Sequence, residues 1–266
     1  MTAETTDLSR HALPDGRLIA CTHEHDPLGW SGLLEDSPYD DGLDELAAGD
    51  VILDVGAHIG LTSLYFRHRV PGVRLIAFEP APLSYACLAD NFARLLPDAT
   101  ALNVAIGAEP GEAELTVYPN HTMMATLHVN DADDEANLTA VLDNWQVDPA
   151  AREEFWRDFR AGIQHITVPV RTLADVIDEY RIERVGLLKI DVERAELDVL
   201  RGIRDDQWDR IRQLVVEVHD IEENLSEVRA TLAEHGFTCR AFQEPLFAGG
   251  SVHIVFATRE ARDCNG

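Results

Sequence analysis

Apolar runs in this chain end repeatedly in groups that can do chemistry: Asp54, Glu79, Asn103, Asp191, Glu193, Glu217, His219 and Asp220. In open α/β sheets, ligands bind beyond the carboxyl ends of the strands. Carboxylates there can grip a cation or read sugar hydroxyls, and an imidazole can take a proton from a reacting hydroxyl. His219 titrates nearest neutrality of the set, which makes it the candidate general base. A helix cap or a hydrogen-bonded core histidine is the competing role for that ring. Asp191 ends the neighbouring run and could orient the imidazole, position a hydroxyl or hold a ligand ammonium. Asp191, Glu217, His219 and Asp220 also form a set able to hold Mg²⁺ or a similar ion, which would acidify a hydroxyl. Lys189 shares a sheet face with Asp191 and is expected to pair with an acid.

The first long run, Val51-Ile-Leu-Asp-Val55, leads into Gly56-Ala-His-Ile-Gly60, giving Asp54-x-Gly56-x-x-x-Gly60. A glycine directly after a strand tolerates positive φ and lets backbone approach a ligand closely. A dinucleotide fold wants G-x-G-x-x-G, and here Ala57-His58 fills the middle. An acid just inside the turn repels a pyrophosphate. It suits a cation such as S-adenosylmethionine, which carries an ammonium and a sulfonium. The next run, Val73 to Glu79, ends in an acid followed by Pro80. That is where ribose hydroxyls are read in doubly wound folds; capping of the next helix is the alternative. Asn103, ending a run over 99–105, could meet adenine or ribose, or bond its own turn. Methyl transfer from a sulfonium needs the nucleophile aligned at roughly 3–3.5 Å and a proton acceptor if that nucleophile is a hydroxyl.

The supporting elements follow from periodicity. Asp15-Gly16 between apolar stretches predicts a hairpin, and residues 23–49 read as loop and short helix capping the sheet. His23-x-His25 reads as a surface-loop pair rather than a metal pair. Strands are expected over 51–55, 73–79, 99–105, 113–118, 166–171, 185–192 and 211–219. Helices are expected over 59–69, 82–96, 173–180, 194–203 and 222–235. Residues 120–164 break the alternation and predict a helical lid with pieces at 136–145 and 149–161. Phe155, Trp156 and Phe159 in it would line an apolar pocket or fasten the lid. The final strands, 237–243 and 252–258, are joined by too short a loop for a crossover and must be antiparallel. The expected class is α/β: a Rossmann-like methyltransferase sheet, mostly parallel, with a C-terminal antiparallel hairpin and a lid. The division is an N-terminal cap over 1–49, a catalytic domain over 50–258 and a tail over 259–266, with residues 1–10 loose.

The chain has 266 residues, enough for one large domain, and a net charge of −26. That charge disfavours nucleic acid and anionic membrane surfaces. Cys21, Cys87, Cys239 and Cys264 form no C-x-x-C pair and read as reduced thiols. No run reaches membrane-spanning length and the first residues are not a secretory leader. A cytoplasmic protein, monomer or homodimer, with a small-molecule substrate is expected.

Asp54-Val-Gly-Ala-His-Ile-Gly60, Phe78-Glu-Pro80, Leu187-Leu-Lys-Ile-Asp-Val-Glu-Arg-Ala-Glu196 and Val216-Glu-Val-His-Asp220 resemble the FkbM family of S-adenosylmethionine-dependent methyltransferases. The likeness spans about residues 50–258 and is closest to O-methyltransferases of macrocyclic polyketide pathways of the tacrolimus type. Trp208-Asp-Arg-Ile-Arg-Gln213 and Gln243-Glu-Pro-Leu-Phe-Ala-Gly249 strengthen it. With the strand-end reading, S-adenosylmethionine is expected on Asp54, Gly56, His58, Gly60, Phe78, Glu79, Asn103 and Asp191, with His219 and Asp191 catalytic. The resemblance implies O-methylation of a hydroxyl on a secondary metabolite. The chain departs from the family at His58, usually Asn, and at Arg194, Gly in many members; Arg194 crowds a turn beside Asp191. N- or carboxyl-methylation of a peptide or sugar, and non-catalytic cofactor binding, are the rival readings.

Overall fold

In a computed structural model of the chain, which describes residues 8–259, Asp15-Gly16 turns an antiparallel hairpin of Ser9–Ala12 (β1) and Leu18–Cys21 (β2). Residues 9 and 10, expected to be loose, are thus paired. The expectations for residues 1–7, most of the tail and Cys264 lie outside the described residues. Helices Pro27–Glu35 (α1) and Asp40–Leu43 (α2) complete the cap. Trp30 is buried edge-on against Tyr65, and Gly42 leaves room for Phe256 and Leu187 of the main sheet.

From there strands and helices alternate: Val51–Val55 (β3), Leu61–Arg69 (α3), Arg74–Phe78 (β4), Pro82–Leu95 (α4) and Thr100–Leu102 (β5). Ala105–Ile106 (β6) and Gly111–Val117 (β7) follow. The lid helices are Asp131–Asn144 (α5) and Pro149–Phe159 (α6). Gln164–Arg171 (β8), Leu173–Glu179 (α7), Val185–Ile190 (β9), Glu196–Arg201 (α8) and Gln213–His219 (β10) resume the alternation. Asn224–Glu234 (α9), Thr238–Phe242 (β11) and Val252–Thr258 (β12) end it.

The main sheet has seven strands in the order β11-β12-β10-β9-β3-β4-β5. Its strands are parallel except β12, which is antiparallel to both β10 and β11. Side chains alternate between two cores, as strand geometry requires. Leu53, Ile76, Leu188 and Val216 face α7, α8 and α9, while Ile52, Leu75, Leu187 and Val215 face α3, α4 and the N-terminal cap. Strands covered on both faces need continuous apolar runs, and β3 and β9 are buried throughout.

Two features differ from expectation. The run over 99–105 is broken: Asn103 Nδ2 donates to the carbonyls of Glu79 (2.9 Å) and Pro80 (3.0 Å), so the chain leaves the main sheet after Leu102. Residues 105–106 then join β7 and β8 in a separate three-stranded sheet of order β6-β8-β7. In the lid, α5 starts five residues before the expected 136. The Asn130 side chain accepts from the Asp133 N–H, and Asp131, Asp133 and Asp134 occupy the first turn, where the helix dipole favours acids.

Chain order reverses between β3 and β9, which places the ligand crevice at their carboxyl ends. One buried lysine ties those ends. Lys189 Nζ donates to the Gly56 carbonyl at 2.6 Å and pairs with Asp54 Oδ1 and Asp191 Oδ2, each at 3.2 Å. Burial works against the ammonium, but Asp191 and Asp54 outweigh it and hold the proton above the ordinary lysine range. Removing one member of such a buried set leaves charge uncompensated. Lys189→Met is expected to cost about 3–5 kcal/mol in urea unfolding, against less than about 1 kcal/mol for an ordinary exposed pair. A loss in the lower range would mean the strand ends do not depend on this tie.

Candidate active site

Gly56 sits in left-handed backbone (φ +78°) where β3 meets the crevice. A Cβ there would lie 1.6 Å from the Asp191 carbonyl oxygen, so no other residue lets the β3 and β9 ends close up. Asp191 is half-buried and faces the cavity. Asp54 is fully buried behind it, accepting from Ser63 Oγ at 2.6 Å while pairing with Lys189. Asp54 therefore does not reach the cavity; it acts on the site through Lys189. Gly60 does not reach it either: a Cβ there would strike Leu88 at 2.7 Å, so the second glycine serves packing of α3 on α4. Asn103 is turned onto the 79–80 backbone, where its Nδ2 fixes the turn that carries Glu79.

Glu79 ends β4 on the cavity wall, 5% exposed. Its oxygens accept from the N–H groups of His58 (2.9 Å) and Ala81 (2.8 Å), which fixes the carboxylate and leaves acceptor capacity on each oxygen. Burial pushes its pKa up to about 7, with the two N–H donors pulling the other way. Phe78 lies beside it, buried. His58, with φ +49°, has its ring Nε2 2.8 Å from Thr122 Oγ1, which in turn lies 2.8 Å from Thr22 Oγ1. Burial pushes the His58 pKa down to about 4, so the ring is neutral. The glycine turn is thereby joined to the start of the lid and to the N-terminal cap.

His219 closes β10, 2% exposed, between two carboxylates. Its Nε2 is 3.3 Å from Glu193 Oε2 and its Nδ1 is 3.5 Å from Glu196 Oε1. Burial opposes a charged ring, but Glu193 and Glu196 outweigh it and hold the pKa well above the ordinary histidine value. Glu217, two residues earlier on β10, is driven well up by burial, then by Asp191 and Glu193. The expectation that Asp191 orients the imidazole is corrected here: Asp191 is held by Lys189, and Glu193 and Glu196 flank the ring. The candidate ion set changes accordingly. Ligand atoms of Glu193, Glu217 and His219 lie within 4.8 Å of one another, without Asp191. Asp220 is turned away, capping α9 by accepting from the Leu225 N–H at 3.1 Å.

Between these groups and the lid lies a cavity of about 390 Å³. Val141, Phe155 and Phe159 of the lid, Leu246 and Phe247 of the loop before β12, and Met124 give it an apolar wall. Trp156 does not line it; the ring packs edge-on against Phe159, so the expected aromatic cluster divides between wall and fastening. Glu79, Asp191, Glu193, Glu217 and Asp134 also line it, and no lysine or arginine among the described residues does. An acidic rim with apolar walls fits a cationic nucleoside and opposes phosphate-bearing ligands. No helix among the described residues is long and apolar enough to cross a membrane.

Residue identity at 191, 217 and 219 was readable from strand ends. Glu193 stands among the strand-end acids, but its pairing with His219, the part played by Glu196 and the bonds of Thr22 and Thr122 to the His58 side of the turn do not follow from periodicity. Glu193 and Arg194 stand consecutively in left-handed backbone (φ +53° and +80°), which no periodicity signals. The nearest hint in the sequence is the acidic spacing Asp191-x-Glu193-x-x-Glu196.

The profile of the FkbM methyltransferase domain matches residues 54–239. The chain is 41% identical over 217 residues to 31-O-demethyl-FK506 methyltransferase FkbM of Streptomyces tacrolimicus, covering 82% of this chain and 84% of that protein. It is 33% identical over 215 residues to methyltransferase sdnD of Sordaria araneosa, covering 77% and 79%. Among solved structures, methyltransferase FkbM from Methylobacillus flagellatus KT shares the fold, with a TM-score of 0.53 at 15% identity. That match covers 82% of this chain but 46% of the other, so this chain spans less than half of that structure's length. The glycine turn, the acid ending β4 and the β10 imidazole all fall inside the matched region, and the chain belongs to the FkbM family of S-adenosylmethionine-dependent methyltransferases.

Proposed function

We propose that this protein methylates a hydroxyl of a neutral, largely apolar small molecule of natural-product type. The observation that carries this reading is His219, buried on the wall of an apolar cavity with a carboxylate on each side of its ring. The relative from Streptomyces tacrolimicus, named for an O-demethyl acceptor, supports a hydroxyl as the target. S-adenosylmethionine, when bound, supplies the electrophilic methyl carbon. The residues present fit it: Glu79 offers lone pairs for ribose hydroxyls, and Asp191 beside the Gly56 turn offers a counter-charge for the ammonium. His58 stands where the methionine end would lie. Apolar side chains of the lid and the loop before β12 hold the acceptor and exclude water. The acceptor proton goes to the His219 ring, and Glu193 and Glu196 stabilise the resulting imidazolium. The lid and the first 49 residues decide which acceptor enters.

The ring accepts a proton only in its neutral form. Because its pKa is raised, that form is gained on going above the ordinary histidine range, so turnover rises with pH and its acid limb lies above 6.5. A cation in the same cavity opposes the ring's charge and brings it toward neutrality. Glu193→Gln removes the first raising partner and is expected to move the limb to lower pH in a kcat–pH profile. A limb that stays in place would remove His219 from that role.

Magnesium does not fit this set well. It prefers carboxylate and water oxygens, whereas here one of three donors is an imidazole already engaged with Glu193. Turnover is therefore expected to survive dialysis against EDTA. Loss of activity restored by Mg²⁺ alone would make His219 a ligand instead of a base.

His219→Ala is expected to lower kcat by about 10²–10⁴-fold, the usual span for a general base, with donor affinity by calorimetry retained. Full turnover in this variant would contradict the hydroxyl reading and favour an amine or carboxylate acceptor, which needs no such base.

A further inference from the structure

The loop that carries Glu193 is gripped by the lid. Arg194, buried like Glu193, sends Nε to Asp133 Oδ2 at 2.9 Å and Nη2 to Asp134 Oδ1, both acids in the first turn of α5. Its own N–H donates to Glu196 Oε1 at 2.7 Å, the same oxygen that faces His219 Nδ1. From the segment before α5, Thr126 Oγ1 donates to the Glu193 carbonyl at 2.5 Å. The grip extends to β12. Ser251 Oγ donates to Asp133 Oδ1 at 2.5 Å, and the Ser251 N–H donates to Asn137 Oδ1 at 2.6 Å. Ser251 directly precedes Val252, the antiparallel partner of His219. Arg194, Thr126 and Ser251, which fix the Glu193 loop and the strand beside His219, are thus tied to the first turn of the lid helix or belong to the segment before it.

We infer that Arg194 is a positioning residue that couples seating of the lid to the catalytic pair, holding the Glu193 carboxylate on His219 when α5 is docked. Consecutive left-handed residues at 193 and 194 are sustained only where their surroundings over-determine them, and here the surroundings are the lid. With α5 displaced, the Arg194 guanidinium loses both counter-ions, and the Glu193 carboxylate beside it is free to leave the ring. An acceptor that lets the lid seat thus completes the base, while open enzyme has an unassembled one. The carboxylates beside the ring are Glu193 and Glu196, Glu217 lies near them on β10, and Arg194 is a cation that acts on Glu193 from the lid side. This inference rests on His219 acting as the base.

A double-mutant cycle on kcat tests it. Arg194→Ala is expected to slow kcat on the order of 100-fold through misplacement of the pair, with donor affinity by calorimetry unchanged. Glu193→Gln should slow it comparably, and the double variant should be no slower than the slower single, because both remove the same arrangement. Arg194→Lys, which keeps the charge, should recover part of the loss. Multiplying effects, or an Arg194→Ala defect confined to acceptor KM, would overturn the coupling and leave Arg194 a fastening of the lid. Where Arg194→Ala does not fold, Asp133→Asn replaces it in the same cycle; full kcat in that variant would equally overturn the proposal. His219→Ala in parallel separates the two ideas: retained turnover there sinks the base itself, whatever Arg194 does.

Discussion

An ammonium buried among carboxylates sets this site. Lys189 lies at 1% side-chain exposure, bonded to the Gly56 carbonyl and paired with Asp54 on β3 and Asp191 just past the end of β9. Such a charge is tolerable only with counter-ions and full hydrogen bonding in place. The requirement runs both ways. Lys189 needs the β3 and β9 ends together, and Gly56 lets them meet because a side chain there would collide with the Asp191 carbonyl. Once the ends are joined, Asp191 must face the crevice while Asp54 must stay behind it.

The same electrostatics explain why acids can crowd the cavity. Asp191, Glu193, Glu217 and Glu79 would repel one another if all were ionised in a shared low-dielectric space. Glu217 and Glu79 are pushed toward the neutral form by burial, and His219 carries a proton between Glu193 and Glu196. The site in this form holds protons that a cationic ligand can displace. The proposed roles, a grip on a methyl donor with two positive centres and a base that must lose its proton, call for one and the same arrangement. Apolar walls around it raise the value of each of these interactions by excluding water.

Much of this was written in the chain in plain form. Buried parallel strands demand unbroken apolar runs, so β3, β4, β9 and β10 announce themselves, and their last polar residues mark the rim. The short link between β11 and β12 forces an antiparallel pair. What escaped the sequence depends on contacts that periodicity does not carry. Asn103 leaves the main sheet because its amide bonds two carbonyls across the next turn, and from that departure the small β6-β8-β7 sheet follows. Glu193, not Asp191, meets His219 because two left-handed residues swing it there, and those conformations are held from a lid far away in sequence. Asp54 and Gly60 carry the motif's spacing but face the interior, one holding Lys189 and the other admitting Leu88. The motif therefore marks how the turn is built, and of its residues Val55, Gly56 and His58 line the cavity.

The claim that four strand ends form one grip for a charged nucleoside is most directly examined by a crystal structure of the protein with S-adenosylhomocysteine. The account predicts ribose hydroxyls on the Glu79 carboxylate, the amino group at Asp191, and the sulfur turned toward the half of the cavity that holds His219. A nucleoside bound elsewhere, or a Glu79 carboxylate that keeps only its two backbone donors while the ligand sits apart from it, would contradict the account.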